Sequence, residues 1–163
     1  MAGMTFMMAG WLAVISGTAE FPDRSLVAFF RNGRAAHRIL RSESRDGGMT
    51  WSAVTTTDLP HPDAGIEAIL LQDGRLLMVY NDSEKERDRL AVSVSEDRGK
   101  SWAHTRHLEN TPARIMDRDT GGQRFDYPSI VQGKDGTLHA TYSYNTETIK
   151  YVRFDEHWMM QTE

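Results

Sequence analysis

The sequence predicts an all-β chain of about three four-stranded antiparallel sheets, arranged as blades of a β-propeller. The first observation is a pattern that occurs twice, SRDGGMTW at 44–51 and SEDRGKSW at 95–102. The second is a set of aspartate-led turns that separate short apolar runs, an arrangement typical of β-hairpins. Four short strands in a repeat of about fifty residues is the pattern that propeller blades show.

The repeats are ordered along the whole chain. Each contains a turn aspartate between two apolar runs, as in FPDRSLVAFFR, LQDGRLLMVYN and GKDGTLHATYS. The turn aspartates are Asp23, Asp73 and Asp135. About two dozen residues after the third one, Asp155 and Trp158 in YVRFDEHWM are expected to form a degenerate third copy of the eight-residue pattern. The predicted repeats are approximately 11–60, 61–110 and 121–160 of a single domain, 1–163.

Composition excludes several classes of function. A formal charge of −4 and a pI near 5.9 leave no basic surplus for a nucleic-acid backbone. The chain has no cysteine, and its six histidines show no metal-ligand spacing, so neither a metal nor another cofactor is expected. The mixed charges of EKERDR at 84–89 predict a solvated loop.

The amino-terminal segment is uncharged before Glu20 and contains small residues at 17 and 19. A strand preceded by an irregular leader is favoured over an export signal, because a basic start is missing and glycines interrupt the apolar run. That run is too short and too interrupted to cross a bilayer. Cytoplasmic and secreted locations both remain open.

The repeated eight-residue pattern has a structural explanation. Its serine and aspartate can accept hydrogen bonds from backbone amides in a tight turn, its glycine permits a left-handed backbone, and its tryptophan can pack between sheets. These are therefore predicted to be structural residues rather than catalytic ones. They are Ser44, Asp46, Gly48 and Trp51 in the first copy, and Ser95, Asp97, Gly99 and Trp102 in the second.

The pattern S-x-D-x-G-x-[TS]-W resembles the Asp-box, or BNR repeat, of the sialidase (neuraminidase) superfamily. The segments RILRSESRDGGMTWS, LPHPDAGIEAILLQDGRLLMVYND and FDYPSIVQGKDGTLHATYSYNTETIKYVRFDEHW resemble, in this order, the carboxy-terminal half of bacterial sialidase-like proteins. The resemblance covers about residues 11–160. It implies half of a six-bladed propeller, with the first substrate-binding arginine and the acid/base aspartate located in blades that precede this sequence.

The resemblance also implies two site residues. Tyr127, eight residues before Asp135, resembles the sialidase tyrosine nucleophile. Arg31, eight residues after Asp23, matches an arginine that binds the substrate carboxylate, and a planar guanidinium suits that role. The carboxylate that normally accompanies the tyrosine is replaced by Ile15, so the sequence departs from the family there.

Two carboxylates could replace the missing one. Glu67 is expected to point toward the propeller axis by strand parity, and Asp126 is adjacent to Tyr127. Asn81 and Arg124 are further substrate-binding candidates, and HPDAG at 61–65 is read chiefly as a turn. A third arginine could come from Arg114, Arg118 or Arg124, and the sequence does not choose among them.

These residues lead to two functional hypotheses. The first is a sialidase-like exo-glycosidase acting on a terminal sialic acid or another acidic sugar. This chain would carry half of the site and is expected to be inactive on its own. The second is a catalytically silent carbohydrate-binding or scaffold propeller, which the departure at Ile15 favours. Because three blades leave two open flanks, pairing with a second copy or with a missing first half is expected. Nucleic acid and membrane are not expected partners.

Overall fold

The computed structural model describes residues 13–32, 37–111 and 123–161, which form three antiparallel sheets and one short helix. The first sheet contains β1 (Ala13–Glu20), β2 (Leu26–Asn32), β3 (Arg38–Ser44) and β4 (Thr55–Pro60). The second contains β5 (Glu67–Leu70), β6 (Leu76–Asn81), β7 (Arg89–Ser95) and β8 (Ala103–Asn110). The third contains β9 (Phe125–Gln132), β10 (Leu138–Tyr144) and β11 (Thr148–Phe154). Neighbours in sequence pair within each sheet, and the all-β prediction is confirmed, but the described part of the third sheet has three strands where four were expected.

Turn chemistry explains the hairpin at the start of each sheet. The Asp73 carboxylate accepts a hydrogen bond from the Arg75 amide at 2.9 Å, and the Asp135 carboxylate accepts one from the Thr137 amide at 3.1 Å. In both turns the next residue is a glycine with a positive φ, which a side chain would disfavour. The first sheet uses Asp23 in the same way but places Arg24 at a φ of 66°.

The two eight-residue patterns form tight turns between the third and fourth strands of their sheets. In the first, the Asp46 carboxylate accepts hydrogen bonds from the Thr50 amide at 2.8 Å and from the Thr50 hydroxyl at 2.6 Å. The Ser44 hydroxyl donates to the same carboxylate and accepts from the Gly48 amide. The Thr50 and Ser44 hydrogen bonds lower the pKa of Asp46 to about 2.

The second turn repeats this geometry. The Asp97 carboxylate accepts from the amide and hydroxyl of Ser101, and the Ser95 hydroxyl accepts from the Gly99 amide at 2.7 Å. Burial alone would raise the pKa of Asp97, but these hydrogen bonds lower it to about 2. Trp102 packs edge-on against Phe29 of the first sheet, with ring centroids 5.6 Å apart. Both patterns therefore act as structural turns.

The third sheet ends differently from the expected third turn. The chain leaves β11 into α1 (Glu156–Met160), and the Asp155 carboxylate accepts a hydrogen bond from the Trp158 amide as the helix N-cap. The prediction of a degenerate turn at Asp155 and Trp158 is therefore wrong. The sequence lacks the serine and glycine that shape the other two turns, so the aspartate caps a helix instead.

Two apolar clusters lie between the sheets. One joins the first and second sheets and contains Phe29, Met78 and Tyr80. The other joins the second and third sheets and contains Val79, Phe125 and Tyr142, among others. Every residue of β6 is buried because successive side chains point to opposite faces and both faces are covered.

The first strands of the three sheets, β1, β5 and β9, lie beside one another in chain order. At Gly17 the backbones approach so closely that a Cβ would lie 2.9 Å from the Ala68 amide nitrogen. Further along, the Glu67 carboxylate accepts a hydrogen bond from the Ile130 amide at 2.6 Å. These contacts fix the position of β9, which carries the candidate nucleophile. Within the described ranges, no helix is long and apolar enough to cross a membrane.

Candidate functional site

Tyr127 lies in a bulge near the start of β9. Ser129 pairs with Thr141 and Asp126 pairs with Ser143, so two residues of β9 face one residue of β10. Tyr127 has a φ of 51° and is 70% exposed. Since a left-handed backbone is unusual for an aromatic residue, the bulge holds its side chain in an orientation that a regular strand would not give.

Gly65 provides the space beside this tyrosine. A Cβ at position 65 would lie 3.3 Å from the Tyr127 Cα and 3.5 Å from Cδ1 of its ring. The loop before β5 therefore contacts the tyrosine directly. In the part of the chain that the structure describes, the Tyr127 hydroxyl has no hydrogen-bond partner, which leaves it available to a ligand.

Asp126 is held between two arginines. Arg87 donates to one carboxylate oxygen and Nε of Arg124 donates to the other. The carboxylate side chain is 1% exposed, whereas those of Arg87 and Arg124 are 21% and 50% exposed. A charged carboxylate at this depth requires such partners, and the two guanidiniums satisfy it.

Asp63 connects this ion cluster to Arg31. Arg87 donates a second hydrogen bond to the Asp63 carbonyl oxygen at 2.7 Å. Nε of Arg31 lies 3.8 Å from the Asp63 carboxylate, and the Arg31 side chain is 33% exposed. The arginines at 31, 87 and 124 thus contact Asp63 or Asp126, the residue before Tyr127, with a surplus of one positive charge.

His61 shapes the loop that carries Asp63. Its imidazole is fully buried, Nδ1 accepts a hydrogen bond from the Asp63 amide at 3.1 Å, and Nε2 contacts the Ala64 carbonyl at 2.8 Å. Burial lowers the pKa of His61 to about 4, so the ring is neutral at physiological pH. The HPDAG segment is therefore a turn, as predicted, and it also positions the residues around Tyr127.

The other predicted site residues have different surroundings. Asn81 is fully buried, and its amide donates to the Phe125 carbonyl at 3.1 Å, so it anchors β9 inside the fold and does not reach a ligand. Asp126 is likewise too deeply buried and too fully paired to serve as a free base. Glu67 uses one oxygen to bind the Ile130 amide and keeps the other one unpaired in the described part of the chain. Arg114 and Arg118 lie outside the described residues.

Arg87 is the site residue that the sequence reasoning missed. It belongs to EKERDR, which was predicted to be a solvated loop, and that prediction is wrong for Arg87 and Asp88. Arg87 reaches Asp126 across 39 residues, and Asp88 is 7% exposed. No local signal separates this arginine from exposed ones, because its partner comes from a distant strand. Within the described ranges no group of three histidine or acidic residues is arranged to hold a metal.

Comparisons with known proteins agree with this architecture. Residues 14–140 match the family described as BNR repeat-like domain. The intramolecular trans-sialidase from Ruminococcus gnavus, solved with oseltamivir carboxylate, superposes with a TM-score of 0.70 at 19% identity, over 99% of this chain and 36% of that one. No curated protein matches the chain.

Two further solved structures show similar folds. A solved sialidase has a TM-score of 0.65 at 28% identity, over 86% of this chain and 13% of that one. An α-L-arabinanase from Penicillium chrysogenum, solved with arabinobiose, has a TM-score of 0.61 at 18% identity, over 85% of this chain and 45% of that one. This chain thus spans less than half the length of each of these three proteins.

Proposed function

This chain belongs to the BNR repeat-like domain family, and from that premise we propose that it carries half of a sialidase-like glycosidase site for an acidic sugar. The observation that carries the proposal is the position of exposed Tyr127 directly after Asp126, whose carboxylate binds Arg87 and Arg124. Arg31 pairs with Asp63, in the loop that contacts the tyrosine through Gly65. Guanidinium groups recognise carboxylates through paired N–H donors. A terminal sialic acid offers such a carboxylate next to its anomeric carbon, and other acidic sugars carry one elsewhere on the ring.

In the proposed reaction, the Tyr127 oxygen attacks the anomeric carbon while the bond to the leaving group breaks. The phenol proton passes to a carboxylate, and the leaving oxygen takes a proton from an acid outside this chain. Water then cleaves the tyrosyl intermediate. Glu67 is the proposed base because one of its oxygens is unpaired and Gly65, two residues earlier, contacts the tyrosine ring.

Asp126 has a different role in this proposal. Since both of its oxygens bind arginines, it positions the arginines rather than moving a proton. Arg124 donates only Nε to Asp126, and its terminal nitrogens have no partner in the described ranges. They remain available for the sugar carboxylate.

The third sheet supports assembly into a larger propeller. The Tyr151–Thr141 pair in the third sheet has the same position as the Val92–Val79 pair in the second sheet. Val79 and Val92 are fully buried against the third sheet, whereas Tyr151 is 56% exposed. The face that would receive the next sheet is thus open, and it also exposes Val131 and Ile149.

The proposed occupant of this face is the first half of a six-bladed propeller. A second copy is the alternative occupant, and light scattering of the isolated chain tests for it. Joining the halves would cover the apolar residues and add the acid that the reaction needs.

A catalytically silent sugar-binding protein is the second candidate. The buried, doubly paired state of Asp126 and the Ile15 replacement favour it, since both reduce the supply of a base near Tyr127. Such a protein would bind acidic sugars through the same arginines without cleaving them.

Turnover of a fluorogenic sialoside tests the proposal. The assay uses this chain joined with a first propeller half from a relative of the same family, and compares Tyr127→Phe with the control Tyr151→Phe. Loss of turnover only in Tyr127→Phe supports the enzyme. Turnover that survives Tyr127→Phe contradicts it, and sugar binding without turnover favours the silent alternative.

A further inference from the structure

A cavity lies near the start of β2, at the opposite end of this strand from Arg31. It has a volume of about 420 Å³ and is formed by the β1–β2 turn, the end of β3 and both eight-residue turns. Its charged lining residues are Arg41, Arg45, Arg98, Lys100, Asp23 and Glu43. Four cations and two carboxylates give a surplus of two positive charges in a chain whose net charge is −4.

Both carboxylates already have partners. Asp23 accepts from the Ser25 hydroxyl and amide and pairs with Arg98 at 2.9 Å, which together lower the pKa of Asp23 to about 2. Glu43 pairs with Arg41 at 2.8 Å and with Arg45 at 3.1 Å. Both acids therefore stay charged at neutral pH and neutralise only part of the cationic lining.

Donors in the cavity remain unused. The Lys100 ammonium has no hydrogen-bond or ion-pair partner in the described ranges. The Arg41 side chain is only 9% exposed. Its Nε donates a hydrogen bond to the Arg98 carbonyl at 3.1 Å, and its Nη2 donates one to Glu43. Its Nη1 has no partner in the described ranges. A nearly buried guanidinium with a free donor facing a cationic cavity is a feature of anion sites.

The backbone at Arg98 supports a specific arrangement. Arg98 has a φ of 64° where the equivalent residue of the first turn is Gly47, with a φ of 70°. An arginine in a left-handed conformation is disfavoured, so its contacts must compensate. Its guanidinium binds Ser25 and Asp23 and lies 4.6 Å from the Phe21 ring centroid, which holds it at the cavity wall.

We propose that this cavity binds a small oxyanion, a phosphate or sulfate group that is either free or carried by a sugar. Lys100 and Arg45 would supply the outer contacts, and Arg41 the inner one. The site is separate from the proposed catalytic site, because β2 runs from this cavity to Arg31.

The test is thermal unfolding of the full chain in increasing inorganic phosphate, with sodium chloride adjusted to constant ionic strength. A ligand that binds only the folded state raises the unfolding temperature, and the free energy of unfolding increases as RT ln(1 + [L]/Kd) with ligand concentration. Lys100→Ala and Arg45→Ala should each weaken the apparent affinity for phosphate about tenfold. Lys134→Ala is the matched control, because Lys134 is an exposed lysine between β9 and β10 of the third sheet. It should leave the affinity for phosphate unchanged.

Further measurements distinguish a free anion from one that is carried by a sugar. Galactose 6-sulfate that binds more tightly than inorganic phosphate, with galactose alone inactive, indicates a sugar-borne anion, whereas equal affinities indicate the free anion. Lys100→Glu should abolish binding while unfolding cooperatively in chloride. The proposal is overturned if phosphate stabilises no more than chloride, or if all variants respond to phosphate alike.

Discussion

Arg87 and Asp126 form an ion pair that joins the loop after β6 to the bulge of β9, with the carboxylate side chain 1% exposed. The same guanidinium binds the Asp63 carbonyl, so one residue connects three segments around Tyr127. Removing one partner of a buried pair costs far more than removing an exposed one, because the remaining charge is left without compensation.

Arg87→Ala should therefore lower the free energy of unfolding by about 2 to 4 kcal/mol. Arg89→Ala is the matched control at the start of β7, where the side chain is 42% exposed and 3.8 Å from Asp88, and it should cost less than about 1 kcal/mol. Urea unfolding of both variants measures the difference. Equal losses would show that the Arg87 pair does not secure β9.

The glycines of the two eight-residue turns should differ in their tolerance of alanine. Both have a positive φ, but a Cβ at Gly99 would lie 2.5 Å from Cζ of the fully buried Phe29, whereas one at Gly48 would lie 3.5 Å from the Leu26 side chain. Gly48→Ala should cost about 1 kcal/mol, from backbone strain alone. Gly99→Ala should cost about 3 kcal/mol or more, because overpacking is added. Similar melting temperatures for the two variants would contradict this packing.

His61 predicts a pH dependence of stability. The unfolded chain protonates this imidazole below about pH 6.5, whereas the folded protein does so only below about 4. The unfolded state therefore binds more protons between these values, and stability falls as the pH drops from about 6.5 to about 4, by about 3 kcal/mol in total.

His61→Gln should reduce this loss, and His104→Gln, at an exposed position, should retain it. Urea unfolding at several pH values between 4 and 7 gives the slopes. The same slope in His61→Gln as in the unmodified chain would show that another group causes the acid sensitivity.

The open face of the third sheet should cause association of the isolated chain. Ile149 is 70% exposed there, and Met49, on the first eight-residue turn, is 66% exposed. Ile149→Lys should shift the chain toward monomer, since a charge opposes burial of that face, whereas Met49→Lys should not. Light scattering over a range of concentrations measures this. A chain that stays monomeric before any substitution would show that the open face does not drive self-association.

The sequence predicted the all-β fold because its hairpin signals are local. Each turn aspartate and each eight-residue pattern bonds residues within a few positions, as the Asp46 and Asp97 turns show. Arg31 and Tyr127 were selected by their spacing from a turn aspartate and by the sialidase resemblance. In the structure a chain of contacts through Asp63, Arg87 and Asp126 links Arg31 to the residue before Tyr127, and their role in a site stays a prediction.

The remaining features depend on contacts that sequence patterns do not encode. Arg87 is partly buried because it pairs with Asp126, and Asn81 is buried because it donates a hydrogen bond to Phe125. Both partners belong to another sheet. The bulge that exposes Tyr127 depends on register with β10. At Asp155 the local signal was misread, because an aspartate with a tryptophan three residues later serves equally well as a helix cap.

The most direct measurement of the central claim is the affinity of the isolated chain for N-acetylneuraminic acid and for its methyl ester, followed by nuclear magnetic resonance. The ester removes the negative charge that the arginines are proposed to bind. The acid should bind at least about tenfold more tightly than the ester, and Arg31→Ala should remove most of that difference. Equal affinities for acid and ester, or no binding of either one, would contradict a carboxylate site beside Tyr127.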